Sequence, residues 1–175
     1  MKRFLFLVCV LLSLVLVLAS CSFDFEVSDK NFIFEDMRIT LTDEFSEAEQ
    51  NGFDMCFLSQ EVAVVILREE FSDDGFSELT EDASSLSLTE YAGLVLDNNP
   101  ELESGVSDIN EDDGFVWFEY DASVDEYTYS NFVSLYKSSD SFWLVDFYCL
   151  DTLYDANRAD IIKWASAVTF VDSQS

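Results

Sequence analysis

The chain has 175 residues, 49% hydrophobic and 15% aromatic, with 36 Asp and Glu against 8 Lys and Arg and no His. That apolar content excludes an intrinsically disordered chain. The net charge of -28 excludes a nucleic-acid binder, because a polyanion without a basic stripe repels phosphate backbones.

The N-terminus reads as an address. Lys2 and Arg3 precede an apolar run from Phe4 to Val17 that only Ser13 interrupts, and Leu18-Ala19-Ser20-Cys21 closes it. This order is the signature of a bacterial lipoprotein signal peptide spanning residues 1–20. Cleavage leaves Cys21 as the first residue, to be lipidated with a diacylglycerol whose two acyl chains, such as palmitate, form the membrane anchor. Two chains, at about 0.8 kcal/mol per buried methylene, hold a protein stably at a bilayer. The competing reading is an uncleaved spanning helix, but Phe4 to Ser20 sits at the short edge of the roughly 17–25 residues that such a helix needs. Cys9 leaves with the signal peptide. The mature protein is expected at the outer face of the cell membrane, anchored and not spanning.

What remains is 155 residues with six Lys and Arg against 36 Asp and Glu, hence a charge of -30. That length suits one domain with a real core. The organisation expected is a short tether at 21–31, a single domain at 32–171 and a tail at 172–175. Fully extended, the tether spans at most about 35 Å. The acidic coat reads as solubility outside the cell and repels anionic lipid headgroups.

From Phe32 the chain alternates, with Met37, Ile39 and Leu41 on one face and Arg38, Thr40 and Thr42 on the other, which predicts a first strand. Asp54 to Gln60 and Glu61 to Phe71 predict two more. Ser72-Asp73-Asp74-Gly75 then supplies turn chemistry. Ser87-Leu88-Thr89-Glu90 matches a capping box, and Leu88, Tyr91, Ala92 and Val95 recur with helical spacing. Asn98-Asn99-Pro100 ends that helix. Four strand-like segments follow, near Gly105 to Ile109, Phe115 to Asp121, Tyr127 to Tyr136 and Phe142 to Leu150. The last is apolar on both faces apart from Asp146, so it is expected to be central. A closing helix at about Asp155 to Phe170 has Ile161, Trp164, Ala165 and Val168 in register. The fold class is therefore α+β, a mostly antiparallel sheet of six to seven strands flanked by two helices.

Cys56 and Cys149 are the candidate disulfide, in a compartment where bridges persist. Both also lie in strand-like apolar surroundings, where a free Cys acts as a small hydrophobe. A bridge needs Cα atoms within about 7 Å, so the two roles stay open at this point.

Phe34 with Met37 to Phe45, Ser87 to Asn99, Phe118-Glu119-Tyr120, Tyr136-Lys137, Phe142 to Cys149 and Lys163-Trp164-Ala165 resemble uncharacterised lipoproteins of Gram-positive bacteria. Those in turn are similar to the PsbP-like α/β/α sandwich superfamily, which includes DcrB-type and LpqN-type lipoproteins. The resemblance implies the sandwich fold, an anchored location and a role as a binding or assembly module. It implies no catalytic residues.

Candidate chemistry is thin. Without His, Ser-His-Asp and Cys-His catalysis are excluded, and two mature-domain cysteines cannot build a typical structural zinc site. No Walker loop or GxGxxG occurs. A serine with Lys30, Lys137 or Lys163 as base has no motif behind it. Asp108 to Glu119 echoes an EF-hand loop, yet Asp113 stands where the loop needs Gly and strand pattern follows, so a hairpin turn with solvated acids fits better. Neither a metal nor a cofactor is expected. Trp117 shares its strand face with Glu119 and Asp121 and is the candidate exposed aromatic for a partner.

These readings converge on a non-catalytic, membrane-anchored extracytoplasmic binding or assembly module, with the bilayer as one partner through acylated Cys21 and an envelope protein as the other. The alternative is a small cell-envelope hydrolase using paired carboxylates. A deep cleft with two acids of raised pKa favours the enzyme, and a shallow surface with exposed aromatics favours binding.

Overall fold

The computed structural model describes residues 27–72, 82–99, 102 and 105–171. Its centre is the segment apolar on both faces, Ser141–Leu150, which forms strand β9. Around it runs a seven-stranded antiparallel sheet of β3 (Ser46–Ala48), β4 (Met55–Leu58), β5 (Ala63–Glu70), β9, β8 (Tyr127–Lys137), β7 (Phe115–Val124) and β6 (Asn110–Asp112), in that spatial order. β9 is the fourth of seven, the central position that its pattern predicts. The fold class expected from sequence is the one observed.

A period of two decides which side chain meets which layer. On the first face Trp143, Val145 and Phe147 of β9 pack with Val64 and Ile66 of β5 and Phe132 and Tyr136 of β8. Two elements cover them. One is helix α2 (Asp151–Ser166), through Ile161, Trp164 and Ala165. The other is a small sheet, order β1-β2-β10, of β1 (Asp29–Phe34), β2 (Met37–Thr42) and β10 (Thr169–Phe170). The Tyr136 hydroxyl donates to the Ala165 carbonyl at 2.8 Å, so its polar end is satisfied inside this layer.

On the second face helix α1 (Leu88–Asp97) covers Val116, Phe118, Val133, Leu135 and Phe142. The capping box forms as the sequence predicts, with the Ser87 hydroxyl accepting from the Glu90 N–H and the Glu90 carboxylate accepting from the Ser87 N–H. Tyr91 stacks on Phe142 with ring centres 4.1 Å apart, and its hydroxyl donates to Glu69 of β5. Lys137 fastens the approach to the helix. Its ammonium donates to the Ser84 and Leu86 carbonyls, both at 2.7 Å, and lies over the rings of Phe71 and Phe142.

Several expectations need correction. The single first strand is a hairpin, β1 and β2, joined by Glu35-Asp36, with Glu35 at a φ of 51°. β1 also begins at Asp29, so it takes in the last three residues expected in the tether. Strand β3 was not predicted, because three residues are too few for alternation to register. The segment near Gly105 to Ile109 is irregular, and pairing starts at Asn110, whose strand leads through Asp113-Gly114 into β7. The closing helix starts at Asp151 and stops at Ser166, and Thr169-Phe170 instead pairs with Arg38 and Met37. Asp73 to Gly75, Pro100 and the tail at 172–175 lie outside the described residues.

Truncating Phe147, which stacks on Trp164 of α2 with ring centres 6.4 Å apart, tests this layering. Phe147→Ala is expected to destabilise by about 3–5 kcal/mol, as a truncated core aromatic does, read from the denaturant midpoint. Lys137→Met keeps the apolar stem but loses two charge-assisted hydrogen bonds, each worth roughly 1.5–3 kcal/mol. Limited proteolysis is expected to cut within 82–99 first in that variant, before the sheet unfolds.

Candidate functional site

The cover on the second face stops half-way along the strands. α1 reaches Phe118 and Val133, but among the described residues no helix covers the next rows of that face, Tyr120, Asn131, Tyr148 and Ala63, then Ala122 and Tyr129. The loop after β3 leans over instead. Gln50 accepts a hydrogen bond from the Tyr148 hydroxyl at 3.2 Å and faces the Cys56 thiol at 3.7 Å. Between this loop and the β7–β8 ribbon lies a cavity of about 340 Å³, open to solvent and lined by Gln50, Phe53, Val65, Tyr129, Asn131, Asp146 and Tyr148 together with Ala122 and Val124.

Asp146 is the anomaly in it. It is 8% exposed, and its Oδ1 is buried without a hydrogen-bond partner. Its register explains the burial. Asp146 sits on the central strand, between Val65 of β5 and Val133 of β8, in the row that also holds Cys56 and Phe118. Desolvation pushes its pKa from 3.8 to about 7, and a hydrogen bond with Tyr120 only partly opposes the rise. The same burial, together with the Asp146 charge, raises the Tyr120 hydroxyl. Burial likewise pushes up the Cys56 thiol and the Tyr148 phenol.

The residues singled out from sequence are placed elsewhere. Trp117 is half-buried on the first face, its ring stacked on Phe132 at 5.0 Å and covered by the Arg158 guanidinium at 5.8 Å. Arg158 is held there by Glu119, whose Oε1 accepts from Arg158 Nε at 2.7 Å and from the Tyr154 hydroxyl at 2.5 Å. The expected exposure of Trp117 is therefore corrected. α2 begins four residues earlier than predicted, which brings Tyr154 and Arg158 over that strand.

Cys56 and Cys149 are both buried and both free, so the candidate disulfide is not formed. Cys56 shares the row of Asp146, and Cys149, three residues along the strand, points to the opposite face with β5 between them. Asp108 to Glu119 forms the expected hairpin, with Gly114 at a φ of 89° and Glu119 occupied by Arg158 and Tyr154. Among the described residues no three His, Cys, Asp or Glu side chains converge as a metal site requires. Cys21 lies outside the described residues. The one signal for the cavity in the sequence is Asp146 itself, the single charge in an otherwise apolar strand.

This architecture has solved counterparts. It is similar to the solution structure of cyanobacterial PsbP from Synechocystis, with a TM-score of 0.55 and 14% identity over 87% of this chain and 98% of that one. The chain has the PsbP-like fold. The Saccharomyces cerevisiae Ran-binding protein Mog1p shares it, with a TM-score of 0.52 and 9% identity over 85% of this chain and 98% of that one. A Bacteroides thetaiotaomicron protein aligns with a TM-score of 0.51 and 8% identity over 83% of this chain and 50% of that one. At such identities the likeness is one of fold. No family model and no curated protein matches the chain.

The buried acid makes stability depend on pH. Between pH 3.8 and about 7 the folded chain keeps a proton on Asp146 that the unfolded chain has released. This group therefore lowers stability as pH rises, by up to about 1.4 kcal/mol per unit. Asp146→Asn is expected to gain on the native chain as pH rises from 4 to 7, with the difference level above about pH 7. Denaturant midpoints of both proteins at each pH check this, and a pH-independent difference contradicts it.

Proposed function

We propose that this chain is an extracytoplasmic lipoprotein, anchored through acylated Cys21, that works as a non-catalytic binding or assembly module for an envelope protein. The observation that carries the binding role is the half of the sheet's second face that no described helix covers. There a central strand's Tyr148 and the ribbon's Tyr129 flank an open cavity. Val124 and Tyr127 stand 59% and 52% exposed at the ribbon tip beside it. Exposed apolar side chains next to a shallow concavity are what a partner covers. The Mog1p neighbour is named for a protein ligand, Ran, which adds support for protein binding on this fold, although fold does not carry partner identity. The anchor rests on the Leu18 to Cys21 order and the basic start before it.

The hydrolase alternative finds no support in this cavity. Paired-carboxylate hydrolysis needs two acids across a scissile bond, and among the described residues Asp146 is the one acid that lines it.

The test is crosslinking in intact cells, followed by purification and mass spectrometry, on the native chain and on Cys21→Ser. The native chain is expected to incorporate an alkyne-tagged fatty acid and to enrich one envelope protein reproducibly, and the variant to lose both. Enrichment equal in the two proteins, or none in either, overturns the anchored-module reading.

A further inference from the structure

Several of the polar groups that line the cavity offer acceptor atoms. Asn131 spends its amide N–H groups on the Tyr120 and Tyr129 carbonyls, at 3.4 and 3.2 Å, which leaves its carbonyl oxygen as the end able to accept. Gln50 turns its own carbonyl oxygen toward Tyr148 and Cys56. The Asp146 carboxyl closes the floor, with its Oδ1 buried from solvent and without a hydrogen-bond partner. Two tyrosine rings form the wall, Tyr129 and Tyr148, 6.3 Å between centres and near-perpendicular at 76°. Among the described residues no Lys or Arg lines the space.

An aromatic-walled pocket with acceptor oxygens and an acid at its base suits a cation that carries its own donors. Ring faces attract an ammonium or guanidinium within about 6 Å of their centres. The chain's net charge of -28 draws such groups in and repels anions. The 340 Å³ cavity is at the small end of the ligand range of roughly 300–1,000 Å³, and it opens beside the exposed Val124 and Tyr127, which would flank a polypeptide. Resting on the binding-module reading above, we propose that this cavity receives an arginine or lysine side chain from a basic segment of the protein partner, with Asp146 as the counter-charge and Tyr129 and Tyr148 as its walls.

Binding then favours the ionised carboxyl. The titratable groups facing Asp146 are the phenols of Tyr120 and Tyr148 and the Cys56 thiol in its row, with Tyr129 at the wall, and none of them is cationic. Since Asp146 ionises near pH 7, affinity for the cation is expected to rise about tenfold from pH 6 to pH 8, following the ionised fraction.

The experiment is a titration of the full chain in detergent micelles, followed by NMR shifts of backbone amides, at a fixed near-physiological salt concentration that screens diffuse surface attraction. The probes are the capped tripeptide Gly-Arg-Gly, its norleucine counterpart and spermidine. Saturable shifts at Phe53, Asn131 and Tyr148 with the arginine peptide, tightening about tenfold from pH 6 to pH 8 and absent with norleucine, support the proposal. Asp146→Asn is expected to weaken binding about tenfold or more at pH 8 and to abolish its pH dependence. The half-buried wall is probed by Tyr129→Ala, which is expected to weaken it several-fold.

Shifts spread over the acidic surface and unchanged in Asp146→Asn overturn the proposal. Saturable binding of spermidine without the peptide overturns the polypeptide source. This titration needs neither the anchor nor a cell, so its failure leaves the crosslinking result to stand or fall alone.

Discussion

A strand that is apolar on both faces has to be covered on both, and β9 imposes that demand on the whole molecule. Trp143, Val145 and Phe147 point one way, Phe142 and Leu144 the other, and a period of two allows no compromise between them. With roughly 1.5–3 kcal/mol at stake for each large side chain kept from water, neither face can be left to solvent. One layer of cover is built from α2 and the small sheet, the other from α1, and the hydrogen-bonded ladders on either side of β9 follow from keeping it central. The sandwich is the geometry that answers one strand's composition.

The two covers are unequal, and the inequality creates the candidate site. α2 has 16 residues and is joined by the β1–β2–β10 sheet, so the first face has the more extensive cover. α1 has 10 residues and meets only the half of the second face near Phe142. Beyond it the side chains change character to Asn131, Asp146, Tyr148 and Tyr129, which tolerate water and can hydrogen-bond. Charge follows the same division. Among the described acids Asp146 alone is buried; the others keep contact with water, whereas this one, at the centre of the sheet, has its titration moved toward neutrality.

The alternating segments, the capping box at Ser87, the central place of Phe142 to Leu150 and the α+β class were legible because each is a local pattern with a local physical cause. Legibility failed where the cause was not local. Thr169-Phe170 belongs to β2 because residues far apart in the chain meet, and β3 is too short to carry a period. Trp117 looked exposed because its neighbours Glu119 and Asp121 are charged. In fact Arg158, 41 positions away in the chain, neutralises Glu119 and covers the indole. The cysteines show the same limit, since spacing alone does not say that Cys56 and Cys149 face opposite sides of one sheet.

By itself the sequence determined the periodicities, the helix start at Ser87, the charge and the single acid in an apolar strand, because these are properties of neighbours along the chain. It also carries the order of residues at Cys21 on which the anchor is proposed. Only the tertiary structure decided how far α1 reaches along the second face, which side chains α2 covers, and that Gln50, Asn131, Tyr129, Tyr148 and Asp146 surround one cavity. Those residues come from a loop and two strands spread over about a hundred positions, and only the pairing of β4, β5, β9 and β8 brings them together.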